Sequence, residues 1–562
     1  MEEAIKSRIQ QALVELGIGQ VAFALEYPAD MAHGDLACNV ALVAAKQAGM
    51  NPRELAGRIV DTLGNIEGVK ELTVAGPGFI NISCIEEYFF ETIQKATVAE
   101  NTWGMSPSRE GKTVMVEYTQ PNPFKPFHIG HLMSNTIGES VARLMETQGS
   151  QVIRANYQGD IGLHVAKALW GMRALNVASD DIDGIGRAYA YAHEQYESDE
   201  RAKEEIIELN KKGFAERYGF PAEYDAGRAA SLEHFEELYR VLGTTFDYYF
   251  FESECEPVGR ALVDEGSAQS VFVPSEGAVV FPGEQHGLHT RVFLTKYGTT
   301  TYETRELGLA VLKRERATFD TNYTVTAVEQ EQYFSVVVKA LSLMRPELAE
   351  VFRHVPHGMM TLTSGKMSSR KGNVITGESL LRDMRISALE KMADRDLSDD
   401  EKREVADMVA VAAIKYMVLR QGTGKNIVFD PEASLSFEGD SGPYLQYAHT
   451  RAVSVLKKAE AEHIVPSIMG ESDSPIWETT ELERLLVRFP SIVARAQREL
   501  EPHYVTTYLT ELAGVFNSWY AHEKIVDPAD PTSPYKVALT DAFRSTMKNG
   551  LHLLGIKAPE RM

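Results

Sequence analysis

The sequence predicts an α/β catalytic domain with a Rossmann-like parallel sheet, preceded by a small α+β domain and followed by an all-α helical bundle. Three observations lead to this prediction. Residues 114–118 have strand character, and a proline-rich loop separates them from a helix at 132–144. A second strand at 151–157 ends in a glycine-containing turn, as a βαβ unit requires. From Gly377 onward, apolar residues recur three and four apart, which indicates helices.

The first segment, residues 1–105, predicts a separate N-terminal domain. Its predicted helices cover 4–16, 40–46 and 52–63, and its predicted strands cover 72–74 and 79–82. The turn between the two strands contains Gly76, Pro77 and Gly78. The polar segment 101–112 has the composition of a linker.

The second segment, residues 106–376, predicts the catalytic domain. Residues from about 175 to 260 are rich in helix formers and charges, which favours a helical insertion into the sheet. The strands that we expect to return to the core cover 271–273, 278–281, 292–294, 323–328 and 354–360. Residues 377–440 then predict a helical connecting region, and residues 441–562 predict the C-terminal bundle.

Composition narrows the class of protein. The chain has 562 residues, of which 44% are hydrophobic, so that several cores can form. Its start is acidic and lacks the pattern of a signal peptide, and its apolar runs are too short to span a membrane. The cysteines at 38, 84 and 255 are isolated, which argues against a disulfide framework and a cysteine-rich zinc site. We therefore expect a cytoplasmic protein with no membrane contact and no metal site of its own.

The net charge restricts the class of binding partner. The formal net charge is −23, which argues against a nucleic-acid partner when the whole chain is considered. The segment 441–562 is nearly neutral, however, because 13 Lys and Arg stand against 15 Asp and Glu. This local balance permits contact with RNA in the C-terminal bundle.

The segment His128-Ile129-Gly130-His131 opens the helix after the proline-rich loop. A strand end that faces a helix N-terminus is where α/β folds bind nucleotides. The two histidines can donate to phosphate oxygens, and Gly130 lets a flat base or sugar approach closely. An H-x-x-H pattern alone is weak, since it is also typical of a capped helix start or of half a metal site.

A second segment far downstream strengthens the nucleotide interpretation. Residues 366–372 read K-M-S-S-R-K-G, with three cations and two hydroxyls that suit a phosphate-binding loop. A solvated basic turn would have the same composition. In this order, the two segments resemble the H-I-G-H and K-M-S-K-S signatures of the class I aminoacyl-tRNA synthetases.

Longer motifs resemble the arginyl-tRNA synthetases in particular. They are V-E-Y-T-Q-P-N-P-F-K-P-F-H-I-G-H-L from Val116, N-Y-Q-G-D-I-G from Asn156, the helix 302–314, G-P-Y-L-Q-Y-A from Gly442, H-G-D-L-A-C-N-V-A from His33, and A-G-P-G-F-I-N from Ala75. The resemblance implies an arginine–tRNA ligase that uses ATP, forms arginyl-adenylate and transfers arginine to the 3′ end of tRNA(Arg). It also implies Mg²⁺ brought by ATP, and we expect a monomer.

The resemblance assigns roles to residues of this chain. The implied catalytic residues are His128, His131, Lys366, Arg370 and Lys371. The implied ATP contacts are Gly130, His128, His131, His357, Gly358, Met359, Lys366, Met367, Ser368 and Ser369. The implied arginine contacts are Glu117, Asn122, His128, Tyr302, Glu306 and Gln330. The implied tRNA contacts are Phe79, Asn81, Tyr444, Gln446, Tyr520 and Met562.

Residue chemistry supports the acidic part of this set, because a guanidinium pairs bidentately with carboxylates. Tyr302 and Glu306 are four apart and lie on one helix face. Taken alone, Glu306 is more typical of an exposed helix carboxylate than of a binding residue. Tyr520 is as typical of bundle core as of RNA contact.

The chain departs from the family pattern at three places. Glu306 stands where Asp is usual, Tyr333 stands where His is common, and Ser369-Arg370 replaces Lys-Ser of the general second signature. Two alternatives stay open at this point. One is a sister class I synthetase or nucleotidyltransferase, and the other is a non-enzymatic RNA-binding paralogue.

Overall fold

The computed structural model describes residues 1–28, 30–363, 376–468 and 479–562. By internal contacts, the chain divides into two units. The first contains Met1–Trp103, Arg451–Phe489 and Glu511–Thr546. The second contains Gly104–Thr450, Pro490–Thr510 and Met547–Met562. The predicted N-terminal domain therefore shares a unit with part of the predicted C-terminal bundle.

The first 103 residues form an antiparallel sheet, in the order β1-β2-β4-β3, covered by helices. The elements are α1 Glu2–Glu15, β1 Leu25–Glu26, β2 Leu36–Cys38, α2 Val40–Ala48, α3 Pro52–Leu63, β3 Val69–Ala75, β4 Phe79–Cys84 and α4 Glu86–Ala99. Asn51 caps α3 by accepting from the Arg53 amide, and Pro52 occupies the first turn, where no amide is needed. Ile5, Ile9 and Ile80 are fully buried in the core. The predicted helices and strands are confirmed, and β1, β2 and α4 are additions.

The segment from Gly104 to the end of the catalytic fold is built of alternating strands and helices. The elements are β5 Thr113–Glu117, α5 Ile129–Thr147, β6 Gln151–Gln158, α6 Leu163–Leu175, α7 Ile182–Ser198, α8 Glu200–Lys212, α9 Pro221–Leu242, β7 Tyr248–Phe251, α10 Glu252–Ala268, β8 Val273–Ser275, β9 Ala278–Phe281, β10 Arg291–Leu294, α11 Tyr302–Arg316, β11 Thr321–Ala327, α12 Glu331–Met344, α13 Pro346–Val351, β12 Phe352–His357 and β13 Met360–Leu362.

Five of these strands form a parallel sheet in the order β12-β11-β5-β6-β7. The chain runs from β5 outward to β7, and then returns to the other side of β5 through β11 and β12. The sheet therefore has a topological switch point between β5 and β11, and ligands of open α/β sheets bind beyond the strand ends at such a point. The predicted Rossmann-like sheet is confirmed.

Two details of the prediction differ from the structure. The predicted insertion at 175–260 contains β7, which pairs with β6 and is a strand of the parallel sheet. This run of four residues lies between long helices, and its periodicity cannot identify it as a strand. In addition, β8, β9 and β10 form their own antiparallel sheet instead of joining the parallel one.

The remaining described residues are almost wholly helical, as predicted. The elements are α14 Gly377–Lys391, α15 Asp399–Leu419, β14 Ile427–Phe429, α16 Pro431–Ser434, α17 Gly442–Ala461, α18 Glu481–Leu486, α19 Phe489–Glu499, α20 His503–His522 and α21 Ser533–Leu553. The short strand β14 pairs in parallel with β13. In the part of the chain that the structure describes, none of the helices combines the length and apolar character needed to cross a membrane.

Candidate active site

The loop that follows β5 holds several residues in a strained backbone conformation. The φ angles of Thr119, Gln120 and Phe124 are 79°, 54° and 66°. Such values are unusual for residues other than glycine, above all for a β-branched one, and residues of this kind concentrate at functional sites. Ser134 Oγ accepts from the Thr119 amide at 3.0 Å, and Asn156 Oδ1 accepts from the Gln120 amide at 3.2 Å. These buried partners hold the loop in one conformation.

His128 and His131 cap the N-terminus of α5 reciprocally. Nδ1 of His128 accepts from the His131 amide at 3.3 Å, and Nδ1 of His131 accepts from the His128 amide at 3.2 Å. The two rings stack with their centroids 3.4 Å apart. A Cβ at Gly130 would lie 3.0 Å from the His128 ring, so glycine keeps this approach open.

The capping fixes the tautomer of both rings. Because each Nδ1 accepts a hydrogen bond, the proton of a neutral ring must be on Nε2. Although part of the His128 ring is exposed, the protein packed around it and the Lys125 cation lower its pKa to about 4. Burial, assisted by His128 and Lys125, also holds the pKa of His131 well below its usual value. Near pH 7 the pair is therefore neutral and offers two Nε2–H donors.

Glu117, at the carboxyl end of β5, is 1% exposed and has partners at both oxygens. Gln120 Nε2 donates to Oε1 at 2.6 Å, and the Lys313 ammonium donates to Oε2. Lys313 comes from α11 and is itself 3% exposed. No local sequence pattern indicates this pair, because Lys313 lies 196 positions from Glu117.

Glu306 lies on α11 and faces the same group of charges. Burial raises the pKa of its carboxyl to about 8, with a further increase from Glu117 and Glu252 and a decrease from Lys313. A narrow pocket adjoins Glu306 and Lys313, and its other walls are mostly apolar. Glu306 is thus not a solvated surface carboxylate, and the two predicted acids are close enough to interact.

The other predicted arginine contacts differ from the two acids in exposure and in their hydrogen-bond partners. Tyr302 is 54% exposed at the start of α11, where the guanidinium of Arg305 lies 4.9 Å from its ring centre. Asn122 Oδ1 accepts from the Gly159 amide at 3.0 Å, which orients its side chain. Gln330 is exposed in the 3₁₀ turn that follows β11.

One buried pair beside these residues was missed by the sequence analysis. Arg305 donates to Glu252, the first residue of α10, and the two residues are 7% and 3% exposed. Arg305 also donates to the Thr300 carbonyl at 3.1 Å. The pair fixes the start of α11, where Tyr302 lies.

On the opposite side of the loop, β12 ends at the predicted ATP contacts His357, Gly358 and Met359. The Gly358 amide donates to the Thr423 carbonyl at 3.0 Å, and the Met359 amide donates to Asn426 Oδ1 at 2.8 Å. His357 is 2% exposed, whereas Met359 is 41% exposed. Only Met359 therefore presents its side chain to solvent.

The predicted phosphate-binding residues Lys366, Met367, Ser368, Ser369, Arg370 and Lys371 lie outside the described residues. The next described residues, from Thr376 onward, contact the histidine loop, by which we mean the loop after β5 that ends at His128. Thr376 forms an isolated β-bridge with His128, and the Gly377 amide donates to the Phe127 carbonyl at 2.8 Å.

The predicted tRNA contacts divide by exposure. Phe79 and Tyr520 are 38% and 40% exposed, and Arg451 lies 4.8 Å from the ring centre of Tyr520. Tyr444 and Met562 are half-buried, and Asn81 is 8% exposed. Gln446 is fully buried, and its amide donates to the carbonyls of Met408 at 3.3 Å and Lys557 at 2.8 Å.

The side chain of Gln446 is therefore engaged inside the protein, and this position does not suit contact with an RNA. Among the described residues, no group of three or more His, Cys, Asp or Glu side chains could hold a metal ion.

Comparison with known proteins covers the whole chain. The model of the "tRNA synthetases class I (R), catalytic domain" matches residues 92–431, that of the "DALR anticodon binding domain" matches 445–562, and that of the "Arginyl tRNA synthetase N terminal domain" matches 3–84. The arginine–tRNA ligase of Lactococcus lactis subsp. cremoris is 31% identical over 574 residues, with all of both chains covered. That of Clostridium kluyveri is 31% identical over 497 residues, with 87% of each chain covered.

Two solved structures agree in fold. The arginyl-tRNA synthetase of Thermus thermophilus superposes with a TM-score of 0.80 at 27% identity, with 100% of both chains covered. That of Plasmodium falciparum superposes with a TM-score of 0.80 at 19% identity, with 100% of this chain and 99% of the other covered.

Proposed function

The chain belongs to the class I arginyl-tRNA synthetases, and from this premise we propose how its own residues carry out the reaction. It is an arginine–tRNA ligase, which uses ATP to activate arginine and transfers the activated arginine to tRNA. Family membership excludes the sister-enzyme alternative, because the models that match the catalytic and N-terminal parts are those of the arginyl enzymes. A non-enzymatic paralogue is excluded as well.

The reaction has two steps. The arginine carboxylate attacks the α-phosphorus of ATP and pyrophosphate leaves. A ribose hydroxyl at the tRNA 3′ end then attacks the arginyl carbonyl and AMP leaves. Neither step requires a protein nucleophile, so the protein acts by alignment and by stabilising developing charge. Mg²⁺ would enter with ATP and be held mainly by phosphate oxygens.

His128 and His131 are the donors to the α-phosphate in this proposal. The observation that supports this role is their reciprocal capping, which engages both Nδ1 atoms and leaves the two Nε2–H groups as donors. A neutral donor near pH 7 can stabilise charge on the phosphate without first losing a proton. Gly130 leaves room for a base or a sugar, and His357, Gly358 and Met359 are further proposed ATP contacts. Lys366, Arg370 and Lys371 would act on the β- and γ-phosphates, and Met367, Ser368 and Ser369 are further proposed ATP contacts.

The guanidinium of arginine is bound by Glu117 and Glu306 in this proposal. The observation that carries it is that Glu117, at the carboxyl end of β5, pairs with Lys313 of α11, and that Lys313 and Glu306 line the same pocket. Tyr302 lies beside them, while Asn122 and Gln330 hold the α-amino end. The Asn122 oxygen that accepts from Gly159 keeps a second lone pair for an ammonium group.

For tRNA, we propose contacts at Phe79 and Asn81 in the N-terminal domain of residues 1–105. Tyr444, Tyr520 and Met562 would contact tRNA from the helical anticodon-binding domain of residues 441–562. The exposed aromatic rings of Phe79 and Tyr520 support stacking on unpaired bases. Gln446 is left out because its amide is engaged in the interior. A monomer in the cytoplasm stays our expectation from the sequence.

ATP–pyrophosphate exchange with each of the twenty amino acids, with and without tRNA, tests this assignment. We expect exchange with arginine and none with lysine, because the ammonium of lysine cannot pair bidentately with two carboxylates. Equal exchange with lysine would show that the two carboxyls do not read the guanidinium.

A further inference from the structure

The arginine pocket contains a cation of its own. Lys313 is 3% exposed, and its ammonium group donates to Glu117 Oε2 and lies 3.4 Å from Asn322 Oδ1. Asn322 in turn donates to Thr324 Oγ1 at 3.1 Å, so the ammonium is held in a network of buried polar groups. Lys313 lies seven positions after Glu306 on α11. An ammonium group thus already faces the carboxyls that are expected to bind a guanidinium.

The charges around Glu306 come from several elements. The groups that act on it are Glu117 on β5, Lys313 on its own helix, Glu252 on α10 and Tyr333 on α12. The charge of Glu306 also acts on the Cys255 thiol on α10 and the Tyr157 hydroxyl on β6. Both groups are buried, and burial is the largest cause of their raised pKa. Lys313 is the cation of this set. It can neutralise one of the two acids but not both.

We propose that Lys313 is a positioning residue of the arginine pocket: its ammonium group cancels the charge of Glu117, so that arginine binding displaces one proton from Glu306. This inference rests on the proposed placement of arginine between Glu117 and Glu306. Before binding, the pocket holds one carboxylate, one ammonium and one protonated carboxyl. After binding, the guanidinium faces an ionised Glu306, and the released proton passes to solvent.

The physical reason is the cost of net charge in a buried site. An uncompensated buried charge is strongly unfavourable because it loses its hydration, whereas a neutral arrangement avoids that cost. Both the empty and the occupied pocket are neutral in this scheme. The raised pKa of Glu306, about 8, agrees with a protonated carboxyl in the empty pocket near pH 7. Without Lys313, the free carboxylate of Glu117 would receive the guanidinium directly, and Glu306 could keep its proton.

Calorimetric titration of the full chain with L-arginine alone tests the proposal. At pH 7, titrations in two buffers with different ionisation enthalpies give the number of protons released. We expect about one proton for the parent, and by linkage a roughly tenfold or greater gain in affinity between pH 6.5 and 8. We expect Lys313→Met to release no proton and to show an affinity that changes by less than about twofold over that range. Lys313→Arg keeps the cation and should restore proton release.

Lys203→Met, at a partly exposed position on α8, is the control for loss of a lysine elsewhere, and it should behave like the parent. Circular dichroism shows whether Lys313→Met is folded, and the parent titration tests the proposal without any variant. Binding by the parent with no proton release would overturn the proposal, as would equal release by the parent and Lys313→Met. Either result leaves the ligase assignment intact if arginine is still charged. Unchanged arginine affinity in both Glu117→Gln and Glu306→Gln would instead refute the placement of the pocket.

Discussion

The helices α5 and α11 both supply groups to the proposed site, but they position those groups in different ways. His128 and His131 are set by contacts within their own helical turn, through amides three residues apart. On α11, Arg305 depends on Glu252, 53 positions away, and Lys313 depends on Glu117, 196 positions away. The groups at the start of α5 are thus positioned by neighbouring residues, whereas the charged groups of α11 are positioned by residues that are distant in the sequence.

This difference has a functional consequence. Because the histidine pair is held by its own helical turn, substitutions elsewhere should leave the orientation of its neutral donors unchanged. Fixed donors of this kind suit the stabilisation of a transition state. The charges of α11 are coupled to one another, so each change there alters the charge that arginine meets. Variants on α5 should therefore lower the rate of activation, and variants on α11 should lower the affinity for arginine.

The largest effect is expected at His128. Asn keeps an oxygen at the capping position but removes the distal N–H, whereas Gln keeps a distal N–H but loses the cap. We expect His128→Asn to lower the rate of adenylate formation by roughly 10²–10³, the usual scale for one lost donor. Its thermal stability should stay close to that of the parent.

His128→Gln should show the reverse, with lower thermal stability and a smaller loss of rate. Single-turnover pyrophosphate exchange and thermal melts measure both properties in each variant. If the two variants have equal rates, the ring serves the helix cap and not the phosphate.

The next effect concerns Glu306. Removing its charge leaves a buried guanidinium with one acid fewer, and breaking such a pair costs about 3–5 kcal/mol. The KM for arginine should therefore rise at least about a hundredfold in Glu306→Gln, at roughly 1.4 kcal/mol per factor of ten. The KM for ATP should change little, because the nucleotide lies at the histidine loop.

Glu306→Asp should be tolerated much better, since it keeps the charge. Glu315→Gln, at an exposed position on the same helix, is the matched control and should resemble the parent. Steady-state charging assays compare the three variants, and a Gln variant that behaves like the Asp variant would place the arginine site elsewhere.

The smallest effect is on stability against pH. Burial lowers the pKa of His128 and His354 to about 4 and that of His164 to about 3. Between pH 6.5 and 4 the folded protein therefore binds fewer protons at these rings than the unfolded chain, and the free energy of unfolding falls as pH falls. The buried ring of His164 contributes up to about 1.4 kcal/mol per pH unit, and the more exposed ring of His128 contributes less because solvent screens it.

Glu306 acts in the opposite direction. Because the pKa of its carboxyl is raised to about 8 in the folded protein, the free energy of unfolding falls as pH rises from 4.5 toward 8. Thermal melts from pH 7.5 to 4.5 measure the sum of these effects. His164→Gln, at a ring that is 5% exposed, should flatten the acid side of the profile. An unchanged slope would mean that this histidine is protonated in the folded protein.

The sequence predicts those features that depend on neighbouring residues. The strand, proline-rich loop and paired histidines of residues 114–131 carry their own signal, because turns, caps and spacing are local. The strand β7 was missed because its four residues resemble buried helix. The roles of Lys313 and Glu252 were missed because ion pairs between distant positions leave no periodicity. The burial of Gln446 was missed for a related reason, since its acceptor carbonyls lie 38 and 111 positions away.

Domain boundaries show the same limit. The polar segment 101–112 predicts a separable N-terminal domain. In the structure, residues 1–103 contact C-terminal helices that belong to the same unit. Asp35 pairs with Arg484, and Trp103 Nε1 donates to Thr546 Oγ1 at 3.1 Å. The ring of Phe90 packs edge-on against that of Tyr535 at 5.4 Å. A linker composition reports local flexibility of the chain, but not the partners of the domain that it follows.

Competition between arginine and citrulline tests most directly the central claim, that Glu306 reads the charge of the substrate. Citrulline has the shape of arginine without its positive charge, so only the charge differs. In pyrophosphate exchange, the parent should prefer arginine over citrulline by at least about a hundredfold, and Glu306→Gln should reduce that preference to less than about tenfold. An equal preference in the parent and in Glu306→Gln would contradict the account.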